Sequence, residues 1–124
     1  MHFSYFSAPS IAAFLFDGDL DGPAFFAEPK DYNQPGWFEV AFPKVSPRFS
    51  KLALHHVNCA NARVQIWKNG KWMSLAEKSR KDEQFLTRIE FGEPYSTVKL
   101  RLDFDKLERK TGNFWEIYEL ELFE

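Results

Sequence analysis

Three carboxylates crowd into a short stretch at Asp17, Asp19 and Asp21, around Gly18. Side-chain oxygens at that spacing can wrap a hard cation such as calcium, and they can equally form a solvated acidic turn that caps backbone amides. A cation held there would pin loops, since no nearby residue points to an activated water. His55 and His56 are the next group with metal or catalytic chemistry in reach. Neighbouring strand residues face opposite ways, so the two imidazoles cannot share one ion; one is expected inward and hydrogen-bonded, the other toward solvent. No Ser, Cys or carboxylate can be placed beside them as nucleophile or orienter, and Cys59 shows no redox or nucleophilic setting, so the chain reads as non-catalytic. A different chemistry comes from aromatics interspersed with planar polar groups. A loop over 25–34 holds Phe25, Phe26, Tyr32, Asn33 and Gln34; a loop over 57–63 holds Asn58, Asn61 and Arg63, just after His56. Flat apolar faces beside amides and a guanidinium suit a ligand with both C–H faces and hydroxyls. Phe26, Tyr32, Asn33, His56, Asn58, Asn61 and Arg63 are the candidate ligand-binding set, with Phe25 and Phe26 also readable as the floor of a core.

The elements that position these residues read as strands. Pro9, Gly18, Gly22, Pro23, Pro29, Pro35, Gly36, Pro43 and Pro47 exclude a long helix before residue 48, leaving room for a helical turn over 10–16 behind Ser10. From Trp37 onward the period is close to two. It predicts strands over 37–42, 51–57, 63–68, 71–76, 85–91, 98–104 and 114–123. Phe85, Thr87, Ile89 and Phe91 share one face, as do Val98, Leu100, Leu102 and Phe104. Asn69-Gly70 predicts a tight hairpin turn. The last segment is apolar on both parities, which predicts burial on both sides or a bulge, placed near Glu119. The polar run 77–84 and the charged run 105–111 read as loops. Trp37 and Trp72 sit on strands beside turns and are expected to pack and not to bind, whereas Trp67 opposes Val64 and Ile66 and is either exposed or covered by a neighbouring element.

With 124 residues and 44% hydrophobic, 18% aromatic content, the chain is sized for one core, so a single domain over 1–124 is expected. About eight short strands without intervening helices predict an all-β fold of two packed antiparallel sheets, a β-sandwich. Sixteen basic against eighteen acidic side chains leave a net charge of −2, which offers nucleic acid no long-range attraction. Cys59 is the lone cysteine, so no internal disulfide is available. No apolar run is long enough for a transmembrane segment. An extracellular location follows if the domain is excised from a longer exported chain, and a cytoplasmic one if Met1 is native.

In order along the chain, Phe16-Asp17-Gly18-Asp19-Leu20-Asp21, Gly36-Trp37-Phe38-Glu39-Val40, Val64-Gln65-Ile66-Trp67-Lys68-Asn69-Gly70-Lys71-Trp72, Val98-Lys99-Leu100-Arg101-Leu102 and Ile117-Tyr118-Glu119-Leu120-Glu121-Leu122-Phe123 resemble the motifs of discoidin, or coagulation factor 5/8 C-type, domains. These domains belong to the galactose-binding-like jelly-roll superfamily. Phe42-Pro43-Lys44 departs from that pattern where an Asp-Leu-Gly turn is usual, and Gly22 replaces a usual Thr. The resemblance implies a non-catalytic binding module whose loops meet at one end of the sandwich. Its ligand would be a glycan or glycoconjugate; the alternative is an intracellular protein-protein interaction or scaffold domain that grips a partner protein. It also implies a structural calcium held by Asp17 and Asp19 with Glu119 from the last strand.

Overall fold

Alternating apolar residues become strands that each turn one side to a shared interior. The computed structural model describes residues 2–3, 25–27, 36–42, 44–59, 61–105 and 115–124. They form ten strands and no helix: β1 (His2–Phe3), β2 (Phe25–Ala27), β3 (Gly36–Ala41), β4 (Phe49–Val57), β5 (Arg63–Lys68), β6 (Lys71–Ser74), β7 (Ser79–Glu83), β8 (Leu86–Tyr95), β9 (Lys99–Phe104) and β10 (Trp115–Phe123). Two five-stranded sheets result, β1-β3-β9-β5-β6 and β2-β10-β4-β8-β7, with every pairing antiparallel. This is the predicted all-β, two-sheet sandwich. The predicted helical turn over 10–16 lies outside the described residues.

Cross-strand register places like with like on the inner faces. Phe38 and Val64 both sit opposite Leu102, and Val40 and Ile66 both sit opposite Leu100. On the second sheet Leu52 lies between Leu122 and Ile89. All of these except Leu122 are fully buried or nearly so. Phe104 stacks edge-on against Trp115 at 5.1 Å and lies 6.4 Å from Phe38, tying β3 and β9 to β10 across the interior. Gly36 opens β3 beneath that cluster because a Cβ there would come within 2.4 Å of the Phe104 ring.

Asn69 (φ 53°) and Gly70 (φ 77°) turn β5 into β6, the pair of positive φ values that a type I′ hairpin needs. The expected bulge is present: the β10–β4 register shifts between Ile117 and Glu119. A second irregularity separates Phe49 from Lys51 opposite β8, where Gly92 takes φ 85°. At this end Ser46 and Thr97 close the sandwich, Thr97 N–H donating to Ser46 Oγ at 3.0 Å and Ser46 N–H to Thr97 O at 2.7 Å.

Several expectations are corrected. The polar run 77–84 is not a loop: Ser79–Glu83 pairs with β8 and forms the sheet edge. Its charge hid it from a search for alternating apolar residues, yet charged side chains are what keeps an exposed edge from pairing with another molecule. Phe85 lies in the turn between β7 and β8, half exposed, instead of facing inward. Strand β8 continues through Gly92-Glu93-Pro94, and Val98 precedes β9 with 41% exposure. Phe25–Ala27 is a strand paired with Trp115, Glu116 and Ile117, not part of a loop. Trp37 and Trp72 are half-buried on the outer face of the first sheet. The Arg101 guanidinium lies 4.4 Å from the Trp37 ring centroid, and Trp72 stacks edge-on with Trp67 at 5.3 Å. Lys99 covers Trp67 at 4.9 Å, so its exposed-or-covered alternative resolves toward cover by neighbours.

Candidate functional site

Antiparallel pairing gathers the β4–β5 connection, the β7–β8 turn, the end of β9 and the starts of β3 and β10 at one end of the sandwich. Asn58 (φ 63°) and Asn61 (φ 56°) bend the β4–β5 connection through left-handed conformations, which Asn tolerates better than most residues. Asn58 is buried, whereas Asn61 points outward.

Asn61, Arg63 and Asp105 form one hydrogen-bonded set on the outside of this end. Asn61 Nδ2 donates to Asp105 Oδ2 at 2.7 Å; Arg63 Nη1 donates to Asp105 Oδ1 at 3.1 Å and to the Asn61 carbonyl at 3.1 Å. The Asn61 hydrogen bond, followed by those of Arg63, holds the Asp105 carboxyl below its usual range, so it stays ionised and accepting. Both ionic side chains remain open to solvent, Arg63 at 53% and Asp105 at 42%. Inward of this set, Arg80 carries Asp82 at 3.1 Å and Glu77 at 3.8 Å. Burial pushes the Glu77 carboxyl upward.

His56 occupies a different place from Asn61 and Arg63. It is 3% exposed and braces the connection from beneath. The Cys59 backbone N–H donates to His56 Nδ1 at 3.3 Å, so the ring proton sits on Nε2 and donates to Thr87 Oγ1 at 2.9 Å. With both nitrogens engaged, no ring atom is left for a ligand. Burial lowers its pKa to about 4. His55 faces the other way and meets Glu121 Oε1 at 2.5 Å, as strand alternation requires. Cys59 is fully buried and its thiol pKa is raised by that burial, which keeps it protonated and inert.

Phe26 pairs through its backbone with Glu116 at the sheet edge, and Tyr32 and Asn33 lie outside the described residues. Asp17 and Asp19 lie outside them as well. Glu119 sits at the β10 bulge opposite His55 and is 4% exposed. Among the described residues, no three His, Cys, Asp or Glu side chains gather as a metal site.

Sequence reasoning missed Asp105 and Phe85. Asp105 lies just past the end of β9, as the loop reading over 105–111 expects, but it keeps the outward parity of Arg101 and Asp103 and so reaches Arg63 on the neighbouring strand. The even spacing of Phe85 to Thr87 and Ile89 predicts an inner-face residue, but the β7–β8 turn places it outside. Its backbone carbonyl accepts from His56 N–H at 3.0 Å while its ring turns into solvent.

No protein-family model matches the sequence, and no curated protein does. Solved structures do match in fold. The family 32 carbohydrate-binding module (CBM) of C. perfringens NanJ, in complex with galactose, superposes with a TM-score of 0.67 at 17% identity, covering 91% of this chain and 84% of that one. Chitosan-binding module 1 from a Paenibacillus sp. IK-5 chitosanase/glucanase gives a TM-score of 0.67 at 14% identity, over 99% and 92% of the two chains. A Clostridium perfringens module, CpGH89CBM32-5, in complex with GalNAc-beta-1,3-galactose, gives 0.62 at 16% identity, over 90% and 81%. The chain therefore has the discoidin-like, galactose-binding-like jelly-roll fold that these modules share.

Proposed function

We propose that the domain is a non-catalytic carbohydrate-binding module that holds a sugar at the loop end of the sandwich. The observation that carries this reading is the Asn61–Asp105–Arg63 set. It is a rigid, solvent-open array of amide, carboxylate and guanidinium groups on a fold shared with sugar-binding modules. Such groups offer paired donors and acceptors to vicinal hydroxyls, and their mutual hydrogen bonds hold them in place before a ligand arrives. Phe85 supplies an exposed aromatic face at the same end for the C–H side of a pyranose. Phe26, Tyr32 and Asn33 complete the proposed set ahead of β3. Asn58 and His56 support it from below.

Titration of the protein with galactose, GalNAc-β-1,3-galactose and chitosan oligosaccharides by calorimetry tests this function. We expect binding to at least one of them, and Arg63→Ala to weaken it about tenfold or more, a cost of about 1.4 kcal/mol. Silence across the panel, or unchanged affinity in Arg63→Ala, overturns the reading.

Glu119, with Asp17 and Asp19, is proposed to hold a structural calcium. The burial of Glu119 fits that role, since a carboxylate removed from water has to be met by a proton, a cation or hydrogen-bond donors. Calcium would supply fixed positive charge that pins the early acidic stretch to β10. Adding calcium to chelator-treated protein is expected to raise the unfolding midpoint, and Glu119→Gln to abolish the increase. A midpoint indifferent to calcium would refute the assignment.

A further inference from the structure

The outer face of the second sheet carries a hollow that the loop-end site does not use. Its geometry follows from register. On three adjacent strands the outward residues form a three-by-three array: Phe123, Glu121 and Glu119 on β10; Lys51, Ala53 and His55 on β4; Glu90, Arg88 and Leu86 on β8. Ala53 stands at the centre, with Glu121 and Arg88 directly across from it on either side. Its eight neighbours all have longer side chains, so a small residue at the centre leaves a depression of about 270 Å³. Strand spacing and rise make the array roughly 10 Å by 13 Å between its outer rows, room for one sugar ring.

The rim chemistry is specific. Glu121, 41% exposed, is held by His55 at 2.5 Å, which fixes the carboxylate without enclosing it. Arg88 is 58% exposed, and its ion-pair neighbour Glu83 lies at 4.0 Å, too far to occupy the guanidinium fork. Glu90 accepts from Ser79 Oγ at 3.0 Å and keeps further acceptor capacity. Among the side chains that line the hollow, from which buried Glu119 is absent, Lys51 and Arg88 balance Glu90 and Glu121 in formal charge, so the hollow does not select an ion. Donors and acceptors nonetheless face each other across its floor. Phe123, 45% exposed, adds an aromatic wall at one corner, and Leu86 an aliphatic one diagonally opposite. A small floor, alternating donors and acceptors, and an aromatic edge fit a neutral polyhydroxylated ring.

We propose that this hollow is a second sugar-binding subsite, centred on Ala53 and formed by Glu121, His55, Arg88, Glu90 and Phe123. The proposal rests on the carbohydrate-binding reading for its ligand class, but it uses none of the loop-end residues. The two subsites lie on different surfaces, so together they let one domain engage two sugar units of a chain or two chains, with affinity multiplied by proximity.

Amide chemical-shift titrations of the whole chain with galactose, GalNAc-β-1,3-galactose and a chitosan oligosaccharide test it. Saturable shifts are expected at Ala53, Arg88, Glu121 and Phe123, with a midpoint separate from that of Asn61 and Arg63. Ala53→Leu, which fills the hollow, and Arg88→Ala, which alters only an exposed side chain, should each weaken the first midpoint about tenfold or more and leave the second unchanged. Shifts confined to the loop end would overturn the second subsite while leaving the proposed function standing. Sheet-face shifts that neither variant weakens would overturn the subsite too. Shifts nowhere on the protein would remove both readings.

Discussion

Lowering the pH from 7 to 4 is expected to destabilise the fold by roughly 3 kcal/mol through His56 alone. Its pKa falls from 6.5 to about 4 in the folded protein, chiefly because burial disfavours the charged ring. The Cys59 N–H directed at Nδ1 works the same way, since protonation there would set two donors against each other. A group with a depressed folded value contributes fully above its unfolded value. Between about 6.5 and 4 the unfolded chain binds the proton that the folded chain refuses, so stability drains away as pH falls through that window and levels off below it. Urea unfolding at a series of pH values reads the effect directly, and His56→Gln should flatten the slope between pH 6.5 and 4. An unchanged slope in that variant would place the acid sensitivity elsewhere. The ionised Asp105 is not a competing source, because its lowered pKa moves its own loss of stabilisation to more acidic conditions and its exposure keeps the contribution small.

Phe104→Ala should cost about 4 kcal/mol, the usual range for removing a buried aromatic side chain from a packed core. Phe104 is 1% exposed and connects Phe38 to Trp115 across the two sheets directly beneath the candidate site. Gly36 gives the experiment an internal control. In the intact protein Gly36→Ala drives a methyl to 2.4 Å from the Phe104 ring and to 3.0 Å from Trp115, so it should destabilise by about 1–3 kcal/mol. In the Phe104→Ala background the same methyl enters the vacated space, and the cost should shrink or reverse sign. A double-mutant cycle from chemical unfolding reports that coupling. Additive single effects would mean the ring does not press on the backbone of β3 as described.

The inner faces are legible in the sequence because each rests on a local signal. Val64 and Ile66, or Leu100 and Leu102, sit on one side of a strand by the geometry of the extended backbone, whatever the strand pairs with. The Asn69-Gly70 turn and the bulge near Glu119 were readable for the same reason, one from backbone preference and the other from a break in parity within a single segment. The opposite facing of His55 and His56 followed from alternation as well.

Neighbourhood across the sheets was not legible in that way. Ser79–Glu83 carries no apolar alternation because an edge strand has one partner and a solvent side, and only its pairing with β8 makes it a strand. Phe85 kept the spacing of an inward residue, yet the position of the hairpin turn put it outside. Asp105 joined Asn61 and Arg63 because β9 lies beside β5, a contact between residues 42 and 44 positions apart. The hollow at Ala53 belongs wholly to this second kind of information. One small residue means nothing in a strand read alone; it becomes a depression once register sets Glu121 on one side of it and Arg88 on the other. Residue pattern thus determined which side of each strand is dry, a property of the chain's own geometry. Strand order and register, set by long-range packing of the two sheets, decided which polar groups meet at the surface.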